Sequence, residues 1–178
     1  MNKLIPFDGI YLKNLEIFSD LTADFNEPSI LTLQIKIEDE LNEVDWPAPT
    51  VSPTNLLDRQ DELWKSTCFE MFLNPVGHNQ YYEFNFSPNA AWNCYHFAGY
   101  RFPQPPDPSV DFKMADFQFV NNQMVVQIQN HSAFKNFNVG LTAVIKNKKD
   151  QITYFALKHE NNKPDFHLAS TFTLNRGS

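Results

Sequence analysis

Short runs of alternating apolar and polar residues, separated by turn-forming residues, recur along the chain. In the stretch ILTLQIKIE, residues 30–38, aliphatic and polar side chains alternate strictly from Leu31 onward, which is the pattern of a strand with one buried face. Asn121 and Asn122 stand between two such runs, DFQFV and QMVVQIQ, and Asn tolerates the positive φ that a tight hairpin turn needs. Apart from a predicted helical turn near 131–137, no stretch longer than about ten residues keeps a helical period.

Further hairpins follow from the same pattern. Residues 66–74 and 81–87 flank the turn PVGHNQ, in which Gly77 supplies backbone freedom. Residues 92–102, WNCYHFAGYRF, are predicted as the next strand, and VGLTAVI and QITYFAL flank the turn KNKKD. The four Pro of FPQPPDPS indicate a loop. This succession of short strands predicts an all-β sandwich or barrel.

The length and the aromatic content agree with that fold class. A chain of 178 residues can form one domain with a sizeable core, so we expect a single β-sandwich domain over residues 1–178. The 17 Phe, 6 Tyr and 3 Trp are suited to strands and to the space between sheets. Residues 39–64 are rich in Pro and acids and predict a long loop of the kind that often lies near a functional site.

Charge and composition limit the expected partners and compartment. The net charge is −7, with 14 basic against 21 acidic residues, which argues against nucleic acid as a partner. The first twenty residues contain no apolar run long enough for a signal peptide or a membrane span, so we expect a cytoplasmic protein without a membrane partner. Cys68 and Cys94 are then expected to be free thiols.

A row of polar residues in the strand 81–87 is the first candidate for a site. Glu83, Asn85 and Ser87 share one face of this strand because side chains alternate with a period of two. Glu70 lies across the hairpin and can join them, while the opposite faces carry apolar residues suited to a core. The row is either an ordinary solvated sheet face or the floor of a binding site.

The residues around this row favour a sugar-like ligand. Trp64 precedes the hairpin and Trp92 follows it, and Tyr95 and Arg101 are close in sequence. The apolar faces of a sugar ring stack on aromatic rings, while its hydroxyls bond to carboxylate, amide and guanidinium groups. The candidate ligand-binding residues are therefore Trp64, Glu70, Glu83, Asn85, Trp92, Tyr95 and Arg101.

Residues 63–101 also carry a family resemblance. Their motifs LW-x2-TCFE-x-F, Y-x-EFN-x-SP and W-x2-Y-x-F-x2-YR, with the later segment ALKHENNKPDFH at 156–167, resemble the bacterial DOMON-like proteins related to family 9 carbohydrate-binding modules. The resemblance implies a jelly-roll-like antiparallel β-sandwich, and the wider superfamily is associated with sugar or haem binding. We therefore predict a non-catalytic binding domain for a carbohydrate or a similar polar small ligand, with no cofactor.

Several other functions stay open at this stage. Glu70 and Glu83 could act as the carboxylate pair of a glycoside hydrolase. Haem binding would need axial ligands, for which Met71 and His96 are the nearest candidates. An exposed apolar patch would instead indicate a protein-interaction module. The ligand's identity and the oligomeric state cannot be read from these patterns.

A divalent metal is a further alternative. Asp165 and His167 are two residues apart and would point the same way on a strand, and His159 lies upstream. Three such ligands can hold zinc or a similar ion. Their spacing matches no standard zinc pattern, so we expect Asp165 to accept a hydrogen bond from His167 or to cap a turn.

Overall fold

The computed structural model describes residues 1–7, 12, 14–26, 28–48 and 59–177. Residues 49–58 of the predicted long loop lie outside the described residues. The strands are β1 (Asn2–Lys3), β2 (Ile5–Pro6), β3 (Leu15–Asp24), β4 (Ile30–Asp39), β5 (Cys68–Pro75), β6 (Tyr81–Phe86), β7 (Trp92–Phe97), β8 (Asp107–Pro108), β9 (Phe112–Val120), β10 (Gln123–Asn130), β11 (Asn136–Lys146), β12 (Ile152–Ala156) and β13 (Leu174–Gly177). Two short 3₁₀ helices are η1 (Leu63–Lys65) and η2 (Ala169–Thr171). No helix in these ranges has the length and apolarity needed to cross a membrane.

The strands form two antiparallel sheets. The smaller sheet has the order β1-β3-β4-β10-β9, and the larger has the order β2-β12-β11-β5-β6-β7-β8, with β13 paired to β11. One hydrophobic core contains side chains from both sheets. The prediction of an all-β antiparallel sandwich is confirmed.

Side-chain alternation determines which residues enter the core. In β4 the aliphatic side chains of residues 31, 33, 35 and 37 are buried. In β5 and β6 the buried inner rows are Phe69, Met71 and Leu73, and Tyr82, Phe84 and Phe86. Burying each large apolar side chain contributes about 1.5–3 kcal/mol, so these rows hold the sheets together.

The predicted hairpins are present. Asn121 and Asn122 connect β9 to β10 with φ values of 50° and 57°, which is the left-handed conformation that a two-residue turn requires. The β5–β6 and β11–β12 hairpins also occur where the sequence predicts them.

Three local expectations need correction. The strand predicted over 92–102 ends at Phe97, because residues 98–106 leave the sheet as a loop in which Arg101 has a φ of 50°. The helical turn predicted near 131–137 does not form, and β11 begins at Asn136. No strand is predicted from the sequence over residues 15–24. In the structure these residues form β3, which pairs with β4 along its whole length.

The outer face of the larger sheet is covered rather than solvated. Every residue of β5 and β6 is buried, including the polar row of Glu70, Glu83 and Asn85. A second apolar cluster lies on this face; its members include Phe72 and Phe172. The solvated-face interpretation of the polar row is therefore wrong.

Candidate functional site

A pocket of about 550 Å³ lies on this covered face of the larger sheet. Its floor consists of residues of β5, β6, β7, β11 and β12. Its walls come from three segments: η1, the loop 98–106, and residues 157–172, called here the covering segment. The volume is in the range of about 300–1,000 Å³ that is typical of small-molecule sites.

Strand register places two carboxyl groups on the floor. Glu70 in β5 pairs with Thr142 on one side and with Asn85 on the other. Directly opposite residues have Cβ atoms about 5 Å apart, and diagonal neighbours such as Glu70 and Glu83 about 7–8 Å or somewhat less. The hydroxyl of Thr142 donates to Oε2 of Glu70 at 2.8 Å, and the amide of Asn85 donates to Oε1 of Glu83 at 2.8 Å.

Burial controls the protonation of these carboxyls. Removal from water, reinforced by the neighbouring charge of Glu83, raises the pKa of Glu70 to about 8, against opposing effects of the Thr142 hydrogen bond and the Arg101 charge. Burial also raises the pKa of Glu83, although the Asn85 hydrogen bond and Arg101 lower it. Two carboxyls in one dry site cannot both ionise easily, so the pair carries less than two negative charges at neutral pH.

His167 from the covering segment reaches the same floor. Its Nδ1 lies 2.7 Å from the hydroxyl of Tyr81, which also accepts the backbone N–H of Arg101 at 3.1 Å. Its Nε2 lies 3.7 Å from Oε2 of Glu83. Burial and the nearby Arg101 charge lower the pKa of His167 to about 4, so the imidazole is neutral at pH 7 and its contact with Glu83 is not an ion pair.

Arg101 forms an ion pair at the pocket mouth. Its guanidinium donates to Oδ1 of Asp165 at 3.0 Å, and the Tyr100 hydroxyl donates to Oδ2 at 2.7 Å. Partial burial acts to raise the pKa of Asp165, but these hydrogen bonds lower it overall. The ion pair joins the loop 98–106 to the covering segment, and Arg101 makes no ion pair with Glu70 among the described residues.

Aromatic rings form much of the pocket wall. Trp64 in η1 is 38% exposed, and its ring centroid lies 6.0 Å from that of Tyr95. The Tyr95 hydroxyl donates to Asp61 at 2.7 Å and accepts from Asn93 at 2.9 Å, which holds the phenol in place. The wall therefore offers apolar surface above a polar floor.

The structure brings together five of the seven residues predicted for ligand binding. The pocket is lined by Trp64, Glu70, Glu83, Tyr95 and Arg101. Asn85 is fully buried and orients Glu83 from within the floor.

Trp92 requires a correction, because it does not line the pocket. Its side chain is 2% exposed and packs in the core between the sheets, with the Arg59 guanidinium 4.6 Å from its ring. Trp92 and Tyr95 are three residues apart on one strand, so they point to opposite faces. Trp92 is close to the polar row in sequence, but its side chain lies on the opposite face of the sheet.

The three candidate metal ligands are engaged separately. Nε2 of His159 lies 2.8 Å from the carbonyl oxygen of Ile5, Asp165 pairs with Arg101, and His167 bonds to Tyr81. Asp165 also accepts the backbone N–H of His167 at 3.2 Å, as expected for a turn. Within the described ranges no three His, Cys, Asp or Glu side chains are grouped to hold a metal ion.

The candidate haem ligands and the cysteines also lie outside the pocket. Met71 is fully buried in the core between the sheets, and Nε2 of His96 lies 3.3 Å from the side-chain oxygen of Gln80. The structure therefore does not offer Met71 and His96 to a haem in the pocket. Cys68 and Cys94 are buried free thiols, and burial raises the pKa of both.

Several pocket residues were not predicted as ligand contacts. They are Phe97, Gln104, Pro106, Val144, Tyr154, Lys163, Pro164, Phe166 and His167. Four of them lie in the motif segment 156–167, so the motif was the one feature of the sequence that could have indicated these contacts. Only the fold shows that the covering segment packs over β5 and β6.

Comparison with known proteins gives one structural neighbour. No protein-family model matches the chain, and no curated protein matches it either. A crystal structure of a candidate carbohydrate-binding protein from Bacteroides uniformis aligns with a TM-score of 0.57 and 13% identity, over 90% of this chain and 76% of that chain. At this identity the likeness shows a shared fold. Membership of the DOMON-like family stays a prediction.

Proposed function

We propose that the chain binds a carbohydrate in the pocket on the larger sheet, without transforming it. The observation that carries the proposal is the pair of buried carboxyls, Glu70 and Glu83, on the floor of a cavity with aromatic walls. Carboxyl oxygens accept hydrogen bonds from sugar hydroxyls, and aromatic rings pack against the apolar faces of a sugar.

Each lining residue has a role in this proposal. Glu70 and Glu83 bond to hydroxyls, and Asn85 keeps Glu83 in position. Trp64 and Tyr95 contact the ring of the sugar, and Arg101 donates at the mouth from its place beside Asp165.

Two comparisons support the same ligand class. The Bacteroides uniformis protein with a similar fold is described as a candidate carbohydrate-binding protein. The motifs at 63–101 resemble DOMON-like proteins, whose wider superfamily is associated with sugar binding.

A thermal-shift series with neutral sugars, amino sugars and uronic acids tests the proposal. A ligand at about 100 times its dissociation constant adds about 2.7 kcal/mol to the free energy of unfolding, so a saturable rise in Tm is expected with at least one sugar class. Trp64→Ala should reduce this rise, whereas Leu41→Ala, an exposed apolar residue outside the pocket lining, should not. The absence of a saturable rise with every sugar would contradict the proposal.

Glycoside hydrolysis is a second candidate, favoured by one observation. Glu70, with a pKa of about 8, is protonated at neutral pH beside a second carboxyl, as a general acid must be. Turnover of a chromogenic aryl glycoside that disappears in Glu70→Gln but persists in Glu16→Gln would support it. Glu16 is a suitable control because it is a half-buried glutamate of the smaller sheet, outside the pocket lining.

A further inference from the structure

We propose that the ligand carries an ammonium group held between Glu70 and Glu83, so that the site selects an amino sugar over its neutral and N-acetylated counterparts. This inference rests on the proposed carbohydrate-binding function and names the class of sugar.

The two carboxyls of the floor bond directly to no cationic side chain among the described residues, and the charge of Arg101 acts on them only from a distance. Neither Glu70 nor Glu83 forms an ion pair with a Lys or Arg in the described parts of the chain. Arg101 is paired with Asp165, and His167 is neutral at pH 7 because burial lowers its pKa to about 4. A buried negative charge without a partner is costly, and an ammonium ion entering the pocket supplies the partner.

The free oxygen atoms of the two carboxyls are suited to an ammonium group. Thr142 occupies Oε2 of Glu70, and Asn85 occupies Oε1 of Glu83. Among the described residues no hydrogen bond reaches Oε1 of Glu70 or Oε2 of Glu83, since Nε2 of His167 is 3.7 Å away from the latter. An ammonium group has three donors and no acceptor, so it can bond to both free oxygens at once, whereas a single hydroxyl has one donor.

The walls add to the attraction for a cation. The rings of Trp64, Tyr95 and Phe97 line the same pocket as the two carboxyls. Aromatic ring faces attract cations within about 6 Å of the ring centroid, and more strongly when water is excluded. They also pack against the apolar face of a sugar, so one wall serves both parts of an amino sugar.

Charge neutralisation in the pocket gives the binding a distinct pH dependence. Burial holds Glu70 protonated near neutral pH, so an ammonium ligand must displace a proton when it binds. Its affinity therefore rises with pH between about 5.5 and 7, where an aliphatic amine stays protonated. The other charged or titratable groups around the pair are Cys68, Tyr81, Tyr95, Arg101, Tyr154, Lys163, Asp165 and His167. His167 is already neutral throughout this range.

Isothermal titration calorimetry with three matched sugar series tests the inference. Glucosamine, galactosamine and mannosamine are each compared with the neutral hexose and the N-acetyl derivative, in two buffers of different ionisation enthalpy. We expect at least one amino sugar to bind about tenfold or more tightly than its counterparts and to release protons on binding. Equal affinity for a neutral hexose would overturn the inference but leave the proposed function standing. No binding in any series would contradict both.

Amide variants locate the effect. Glu70→Gln and Glu83→Gln keep the shape of the floor but replace a carboxyl that can ionise with an amide that cannot, so both should lose the preference for the amino sugar, while Glu16→Gln keeps it. Retention of the preference in both floor variants would overturn the inference. Proton release by the unmodified chain is an independent measurement that holds even if a variant fails to fold.

Discussion

His167 and Tyr81 are joined by a hydrogen bond of 2.7 Å between Nδ1 and the phenolic hydroxyl. This bond connects the covering segment to the floor of the pocket, because Tyr81 lies in β6 and His167 lies beyond β12. The same hydroxyl accepts the backbone N–H of Arg101. One side chain therefore holds two walls of the pocket against the sheet.

Tyr81→Phe should destabilise the protein by about 1–3 kcal/mol. The variant leaves Nδ1 of His167 and the N–H of Arg101 without their partner, and an unsatisfied buried polar group costs about this much. Urea unfolding measures the change. Tyr154→Phe, which removes the hydroxyl of a tyrosine that lines the pocket from β12, should change stability much less, and equal losses in the two variants would contradict the assigned role of Tyr81.

The free energy of unfolding should fall as pH rises from about 6.5 to about 8, a range above the one in which His167, with its pKa lowered to about 4, acts in the opposite direction. Glu70 has a folded-state pKa of about 8, above its ordinary unfolded value, so the folded state binds more protons over this range and loses stability as they are removed. We expect Glu70→Gln to remove at least about 1 kcal/mol of this fall. Urea titrations of both proteins at several pH values measure it, with Glu16→Gln as the control that should behave like the unmodified chain.

The two tryptophans beside the polar hairpin should respond in opposite ways to truncation. Trp92→Ala should cost about 3–5 kcal/mol of stability, because it empties a site in the core. Trp64→Ala should cost little stability, because the side chain is partly exposed, but should weaken sugar binding. Chemical denaturation and calorimetry separate the two effects, and a Trp92→Ala variant of normal stability would show that the core placement is incorrect.

Gly140→Ala should loosen the covering segment. A Cβ at this position would lie 2.6 Å from Cδ1 of Phe172, whose ring stacks on Phe72 at 5.5 Å. The buried Phe172 ring must therefore move, and overpacking of this kind costs about 1–3 kcal/mol. Hydrogen exchange should report faster exchange in residues 157–172. Gly99→Ala is the control, since a Cβ there meets no atom within 4 Å.

Much of the fold can be predicted from the sequence because strand patterns are local. The alternation in residues 30–38 and the Asn121-Asn122 turn each contain the information for their own structure. Period two also predicted correctly that Glu70, Glu83 and Asn85 share a face. The same period puts Trp92 and Tyr95, three residues apart on β7, on opposite faces.

The sequence by itself determined the strands, the turns and the polar row on β5 and β6, because each depends on residues adjacent along the chain or across one hairpin. Only the tertiary structure decided that this row is buried under the covering segment. That packing places His167 beside Glu83 and removes both carboxyls from water, which raises their pKa values. Burial depends on contacts between residues far apart in the chain, and a period-two pattern contains no information about them.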